Sequence, residues 1–210
     1  MRTSTEPSAR GASDDIPGLG RVEQLVLRGD GLTTTSLEIL TGTPIDVVVD
    51  EHWLLPLHDA LETLADQGSG YTGTSAHQTG EAVRDAYDLL DAHGDETLLV
   101  REIGHRGRDG RRYGASRAVI VLDRLPVDVA RRLASSDEPI GRALAASAVT
   151  VDRELRRWGL SPCGPRARRL SGAVRAGDPL PSRRYLMRRR DDGRPMAGFT
   201  EWFAPCVFGR

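Results

Sequence analysis

Two pairs of segments along the chain alternate apolar and polar positions in the manner of adjacent β-strands. The first pair, 97–104 (TLLVREIG) and 113–122 (YGASRAVIVL), flanks a loop containing Asp109-Gly110, a dipeptide typical of hairpin turns. The second pair, 183–190 and 194–203, closes the chain around Asp191-Asp192-Gly193. Each pair predicts an antiparallel hairpin, and the second carries aromatic residues typical of a buried strand.

Other segments show the spacing of amphipathic helices. Residues 22–50 are interpreted as a helix, a turn at 41–44 and a strand. Further helices are predicted over 53–65, 81–93, 126–134 and 139–146. Residues 149–158 fit either a strand or a helix, and a strand is preferred.

Gly-, Ser- and Pro-rich segments separate these elements. Residues 1–20 are small and polar and are expected to form a disordered tail, 66–79 a loop, and 161–181 an irregular excursion. The remaining pattern, over 21–210, predicts a single α+β domain with an antiparallel β-sheet and flanking helices. A chain of 210 residues is long enough for such a domain to bury a core.

Composition narrows the possible functions. The formal net charge is −1, so no nucleic-acid or membrane partner is expected. All 29 basic residues are arginine, and the absence of lysine excludes a Schiff base, a P-loop lysine and a Ser-Lys dyad. The 5 histidines form no metal-binding pattern and the 2 cysteines no paired motif, so no metal is expected. The chain shows no signal peptide or membrane-spanning run, which predicts a soluble cytoplasmic protein.

Charged residues inside the predicted strands are the candidates for chemistry. Alternation places either Arg101 or Glu102 on the same face as apolar neighbours, whichever face is buried. In the last strand, Glu201 shares its face with Phe199 and Phe203. A carboxylate among aromatic rings costs free energy unless a partner compensates it, and its pKa moves according to that partner.

Three interpretations of Arg101 and Glu201 are open. They form a structural ion pair across neighbouring strands, or Glu201 faces solvent from an edge strand. Alternatively, both line one cavity, where the arginine binds an anion and the carboxylate recognises a hydroxyl or moves a proton. Arg117, which follows Ser116 on the same predicted strand, is a further candidate for binding an anion. The alternative is a surface or ion-pair role.

Four motifs, in order, resemble those of the chorismate pyruvate-lyase family. They are Thr97-Leu98-Leu99-Val100-Arg101-Glu102-Ile103, the run from Tyr113-Gly114-Ala115-Ser116 to Asp123-Arg124-Leu125-Pro126, Glu138-Pro139-Ile140-Gly141-Arg142-Ala143-Leu144, and the closing Thr200-Glu201-Trp202-Phe203-Ala204-Pro205. The resemblance covers about residues 37–205 and is closer to the actinobacterial branch, which makes 4-hydroxybenzoate for phenolic lipids. It implies a chorismate lyase-like fold.

The resemblance also implies roles for individual residues. Arg101 matches the family arginine that binds the ligand carboxylate, and Glu201 matches the glutamate at the hydroxyl end. Ile140 and, more weakly, Thr43 match backbone contacts to the ligand. The chain departs from the family turn at Pro44, which puts the covering of the pocket in question.

The family reaction converts chorismate to 4-hydroxybenzoate and pyruvate, and it uses no cofactor. The resemblance therefore implies a lyase with a small-molecule substrate, acting as a monomer or homodimer. Two alternatives stay open: a ligand-binding effector domain of the same fold, or a divergent natural-product enzyme with another substrate.

Overall fold

Six antiparallel strands form the centre of the molecule in the computed structural model. The structure describes residues 18–29, 32–59 and 74–209, with the backbone alone over 74–78. The strands are β1 (Ile45–Pro56), β2 (Thr97–Gly107), β3 (Arg112–Val121), β4 (Val151–Pro162), β5 (Pro179–Arg189) and β6 (Pro195–Phe203). Their order across the sheet is β1-β2-β3-β6-β5-β4, and every neighbouring pair is antiparallel.

Within the described ranges, five α-helices with both ends defined surround this sheet, and 57–59 are helical as well. The five helices are α1 (Arg21–Arg28), α2 (Thr33–Thr41), α3 (Thr74–Leu90), α4 (Val127–Ser135) and α5 (Ile140–Ala146). Short 3-10 turns cover Leu122–Arg124, Gly164–Arg169 and Pro205–Phe208. No helix within the described ranges has both the length and the apolar character needed to cross a membrane.

The two faces of the sheet are buried by different helices. On one face, Leu99 and Ile120 pack with Val129 and Leu133 of α4 and with α5. On the other face, the core forms against α3 and contains residues of β2, β3 and α3, among them Leu98, Val100, Val119, Ala86 and Leu90. Complete burial of each large apolar side chain contributes about 1.5–3 kcal/mol, so the central strands β2, β3 and β6 are held from both sides. The site described below lies on the α4–α5 face.

The fold class and both hairpins are confirmed. Gly110 and Gly193 occupy the two hairpin turns with φ of +81° and +70°, a backbone conformation that favours glycine. The predicted helices at 126–134 and 139–146 correspond to α4 and α5. Of the segment 149–158, residues 151–158 belong to β4, so the preferred strand interpretation is right.

Other boundaries differ from prediction. The helix predicted at 53–65 is wrong at its start, because 53–56 continue β1 and pair with 97–100 of β2. Residues 57–59 are helical, as predicted. Trp53 and Leu55 pack towards α3 while Leu54 is exposed, so tertiary pairing decides this segment over helical spacing. Residues 60–65 and 66–73 lie outside the described part, whereas 74–79 are helical instead of looped. The predicted excursion at 161–181 contains a 3-10 turn and overlaps the ends of β4 and β5.

The predicted tail falls almost entirely outside the described residues, which begin at Gly18. Leu19 is within the predicted tail, yet it is buried in a core cluster with Leu27 and Phe203. The packed structure therefore reaches at least to Leu19, and the tail over 1–17 stays a prediction.

Candidate functional site

A cavity of about 700 Å³ opens on the α4–α5 face of the sheet. Its floor is formed by alternate residues of the central strands, including Ala118, Tyr185 and Phe199. The start of α2, the 137–142 segment and β1 contribute its walls. This volume lies within the range of small-molecule sites, and the lining combines apolar side chains with several ionisable groups.

Glu201 of β6 lies at one end of this cavity and is 3% exposed. Its carboxylate accepts hydrogen bonds from Thr33 Oγ1 at 2.8 and 2.9 Å, from Arg183 Nε at 2.7 Å and from the Tyr185 hydroxyl at 3.1 Å. These contacts replace the water that burial removes. Glu201 lies in the interior of the sheet, since β6 has neighbours on both sides. The interpretation of Glu201 as a solvent-facing residue on an edge strand is therefore wrong.

The partner of Glu201 is Arg183, which lies directly opposite it on β5. Arg183 is 4% exposed, and its Nη1 also donates to the backbone oxygens of Val26 and Gly29 at 3.0 and 2.8 Å. The interpretation of Arg101 and Glu201 as a direct ion pair is wrong, because β3 separates their strands. Arg183 joins the carboxylate to the end of α1.

The environment keeps Glu201 ionised. Burial acts to raise the pKa of Glu201, but the Arg183 charge and the hydrogen bonds from Arg183 and Thr33 outweigh it, so this pKa lies below its usual 4.5. Burial, followed by the Glu201 charge, raises the pKa of Tyr185 well above 10.0. The tyrosine is therefore a neutral phenol that donates, and the glutamate is an acceptor near neutral pH.

Arg101 of β2 lines the same cavity from the side of α4 and α5. Its Nη2 donates to the backbone oxygens of Leu133 and Ser136 at 2.5 and 2.7 Å, and its Nη1 to that of Glu138 at 2.5 Å. The side chain is 1% exposed, and its Nε has no acceptor among the described residues. Arg101 thus fixes the end of α4 and the segment leading to α5.

The remaining hydrogen-bonding capacity of Arg101 is small. Both hydrogens of Nη2 are directed to carbonyls, which leaves one N–H on Nη1 and the Nε–H of its five donors. Each two-point fork of a guanidinium includes one of the Nη2 hydrogens. A ligand carboxylate can therefore be attracted by the charge of Arg101 and accept single hydrogen bonds from it. It cannot accept two parallel hydrogen bonds from the guanidinium in this arrangement.

The structure brings Ile140 to the same cavity but not Thr43. Ile140 is the first residue of α5 and lines the cavity next to Pro139 and Gly141. Its N–H belongs to the first helical turn, which has no acceptor within its own helix. Thr43 lies in the turn between α2 and β1 outside the cavity, whose wall from this region is formed by Ile45 and Asp46.

Arg117 lies on the opposite face of the sheet and does not line the cavity. It pairs with Glu81 and, at 2.6 Å, with Asp85, both on α3. The expectation that it points into the pocket is therefore wrong, and its alternative as an ion-pair residue describes it. Alternation along β3 explains the difference, since Ser116 and Ala118 are the residues that face the cavity.

His105 adds a buried neutral group beside Glu201. Its Nε2 lies 2.9 Å from Ser116 Oγ, while its Nδ1 is buried with no partner among the described residues. Burial lowers the pKa of His105; Glu201 opposes the shift and Arg183 adds to it. Sequence reasoning missed this residue, as it did Arg183, Thr33 and Tyr185, because spacing identifies charged strand positions but not their partners.

The fold and the cavity define an α+β domain in which one face of an antiparallel sheet and two helices enclose a cavity lined by apolar and ionisable side chains. Similarity to known proteins agrees with this. Chorismate pyruvate-lyase of Mycobacterium tuberculosis is 31% identical over 199 residues, which cover 94% of this chain and 86% of that protein. Chorismate pyruvate-lyase of Mycobacterium bovis matches to the same extent. The chain belongs to the chorismate pyruvate-lyase family.

Solved structures support the fold alone. The effector domain of PhnF from Mycobacterium smegmatis superimposes with a TM-score of 0.53 at 11% identity, covering 85% of this chain and 91% of that domain. A second PhnF structure from the same organism gives a TM-score of 0.54 at 12% identity, covering 86% of this chain and 66% of that one. No protein-family model matches the chain.

Proposed function

We propose that the chain is a cofactor-independent lyase that converts chorismate to 4-hydroxybenzoate and pyruvate. The observation that carries the proposal is the single cavity lined by Arg101 of β2 and Glu201 of β6. A cation near one end and a carboxylate near another suit a ring that bears a carboxylate and a hydroxyl at opposite positions. Membership of the family supports this choice of substrate.

In this proposal the ring carboxylate binds beside Arg101 and the first N–H of α5, at Ile140. The hydroxyl at C4 donates to Glu201, whose carboxylate is ionised and has acceptor capacity left beside Thr33, Arg183 and Tyr185. The stacked rings of Tyr185 and Phe199, 4.9 Å apart, offer an apolar floor for the substrate ring. The ligand is thereby held at both ends, which is a positioning contribution to rate.

The reaction breaks the bond between C3 and the ether oxygen, and a proton leaves C4. The ring becomes aromatic, which makes the overall step favourable. The departing enolpyruvate gains a proton on carbon to give pyruvate. We assign hydrogen bonding to the hydroxyl as the main role of Glu201, with assistance to proton transfer, because its lowered pKa makes it an acceptor and not an acid.

A second function, ligand binding without catalysis, is favoured by the likeness of the fold to the effector domain of PhnF. Fold alone does not distinguish the two, since the chemistry depends on the site. A related enzyme with another substrate is the third candidate, because the unusual Pro44 turn is followed directly by Ile45 and Asp46, which both line the cavity.

The deciding experiment incubates the purified chain with chorismate and follows pyruvate with a coupled dehydrogenase, and hydroxybenzoate by chromatography. We expect equimolar pyruvate and 4-hydroxybenzoate, and a kcat lowered by a factor of roughly 10² or more in Glu201→Gln. Glu154→Gln, on β4 and partly exposed, is the matched control and should retain full activity. Binding of 4-hydroxybenzoate without pyruvate release would favour the effector-type function instead.

A further inference from the structure

Two additional arginines line the cavity and have no protein partner among the described residues. Arg153 lies on β4 and is half-buried, and Arg142 lies on α5 and is exposed. Within the described part of the chain, neither guanidinium has a hydrogen bond or an ion pair with a protein group. By contrast, Arg101 and Arg183 in the same region donate to backbone oxygens or to a carboxylate. Two cations at the cavity are therefore available to an anion.

Strand register fixes where Arg153 stands. It lies opposite Met187 of β5, and Met187 and Tyr185 both line the cavity from β5. Arg153 is therefore on the same face of the sheet as Arg101. The two residues lie towards opposite edges of that face, since β3, β6 and β5 lie between β2 and β4. Its charge acts to lower the pKa of Tyr185, against the larger effect of burial, which is consistent with a guanidinium directed towards this part of the cavity.

The two flanks of the cavity differ in charge. The flank formed by β1 carries Asp46, which repels a carboxylate. The flank formed by β4 and α5 carries Arg153 and Arg142. The segment before α5 also brings Asp137 and Glu138 to the cavity, but Glu138 pairs with Arg132 and Asp137 contacts His52. A ligand held between Arg101 and Glu201 and bearing a second carboxylate on one side gains electrostatic energy only if that group faces the arginine flank.

We propose that Arg153, assisted by Arg142, binds a second carboxylate of the ligand and makes the site selective for dicarboxylates over monocarboxylates. The inference rests on the proposed function in one respect: in chorismate, this second group is the carboxylate of the enolpyruvyl side chain. The product 4-hydroxybenzoate lacks that group, so Arg153 contributes to binding of the substrate and not of the aromatic product.

A matched pair of unreactive ligands tests this without any turnover. 3-(Carboxymethoxy)benzoate carries a second carboxylate on an ether, and 3-methoxybenzoate is the same ring without it. Calorimetric titration should give the wild-type chain a preference of about tenfold or more for the dicarboxylate at low salt. Arg153→Gln should remove most of the preference and leave the affinity for 3-methoxybenzoate within about twofold, while Arg153→Lys restores part of it.

Arg156→Gln is the control, because Arg156 lies on the same strand, pairs with Glu154 and does not line the cavity. It should leave the preference unchanged. Equal binding of the two ligands by the wild-type chain would overturn the inference. So would an Arg153→Gln variant that is folded, as judged by its melting temperature, and keeps the preference or weakens both ligands equally.

Chorismate turnover separates this inference from the proposed function. If the wild-type chain releases pyruvate, Arg153→Gln should raise KM for chorismate about tenfold or more, with a smaller change in kcat and unchanged affinity for 4-hydroxybenzoate. If the wild-type chain releases no pyruvate but prefers the dicarboxylate, the proposed function fails and the second carboxylate site stands. If the chain turns over chorismate but shows no preference for the dicarboxylate, the proposed function stands and only the second carboxylate site is rejected.

Discussion

Arg183 Nε lies 2.7 Å from a carboxylate oxygen of Glu201, and the two residues face each other across β5 and β6. Both side chains are buried, so neither charge has water as an alternative partner. The pair therefore has two effects: it keeps the proposed hydroxyl acceptor ionised, and it fixes the carboxylate relative to the end of α1. The binding group and the packing of the N-terminal helices depend on one arginine.

Removing one member of this pair should be costly. Arg183→Met leaves Glu201 buried without its cation, and we expect unfolding free energy to fall by about 3–5 kcal/mol in urea titrations. Arg188→Met, which removes a partly exposed partner of Glu154, is the matched control and should cost about 0–1 kcal/mol. The double variant Arg183→Met/Glu201→Leu should lose less than the sum of the two single changes. Additive losses would show that the pair is not coupled.

Arg101 should contribute to stability as well as to binding. Arg101→Ala leaves the backbone oxygens of Leu133, Ser136 and Glu138 without their donors, and each unsatisfied buried acceptor costs about 1–3 kcal/mol. We therefore expect a loss of several kcal/mol in urea unfolding, together with weaker binding of 4-hydroxybenzoate.

Arg101→Lys separates the two effects, since an ammonium keeps the charge and three donors. It should restore much of the stability while affinity stays below wild type. Arg132→Ala removes a more exposed arginine that pairs with Glu138, and it should change neither quantity by much. A fully stable Arg101→Ala variant would contradict this structural role.

Hydrophobic alternation and turn residues were sufficient to predict both hairpins, the α+β class and the two strand positions that carry Arg101 and Glu201. Alternation places Glu201 on the same face as two aromatic residues, but it leaves open whether Arg101 or Glu102 shares the face that lines the cavity. The partner of Glu201 could not be derived in this way. A β-bulge between Met187 and Arg188 shifts the register by one residue, so the Arg188–Pro195 pair beside the turn would place Ser182 opposite Glu201, whereas Arg183 lies there.

The errors at 53–56 and at Arg117 have one cause: both depend on contacts between segments distant in sequence. Residues 53–56 are in a strand because β2 pairs with them, whatever their helical spacing. Arg117 faces α3, and the two acids that pair with it lie 36 and 32 residues earlier in the chain. The local sequence pattern shows which residues of a strand share a face, but it does not identify which of the two faces lines the cavity.

Arg117 should matter for stability and not for ligand binding. Arg117→Met removes a buried cation from Glu81 and Asp85 on the face opposite the cavity. Because Glu81 keeps Arg166 and Asp85 keeps Arg184, we expect a loss of about 1.5–3 kcal/mol in urea unfolding. The affinity of the folded fraction for 4-hydroxybenzoate, measured by calorimetry well below the melting temperature, should stay within about twofold of wild type. Weaker binding at unchanged stability would instead support a direct role in the site.

His105 should make the protein less stable as the pH falls from 7.5 to 5.5. Its folded pKa is lowered by burial, so the unfolded chain, with a pKa near 6.5, binds more protons in this range. The stabilising contribution is therefore complete above 6.5 and is lost progressively below it, by at most about 1.4 kcal/mol at pH 5.5. Glu201 does not interfere, because its own pKa lies below 4.5 and its contribution is lost only in more acid solution.

Comparison of unfolding free energies at the two pH values tests this. In His105→Asn, which keeps a polar partner for Ser116 but does not titrate, the decrease from pH 7.5 to 5.5 should be smaller than in wild type. The control is His52→Asn, because His52 lies near the surface beside the exposed Asp137 and should leave the wild-type decrease largely intact. An equal decrease in wild type and His105→Asn would mean that His105 gains its proton in the folded state, and the neutral, buried imidazole beside Glu201 would have to be abandoned.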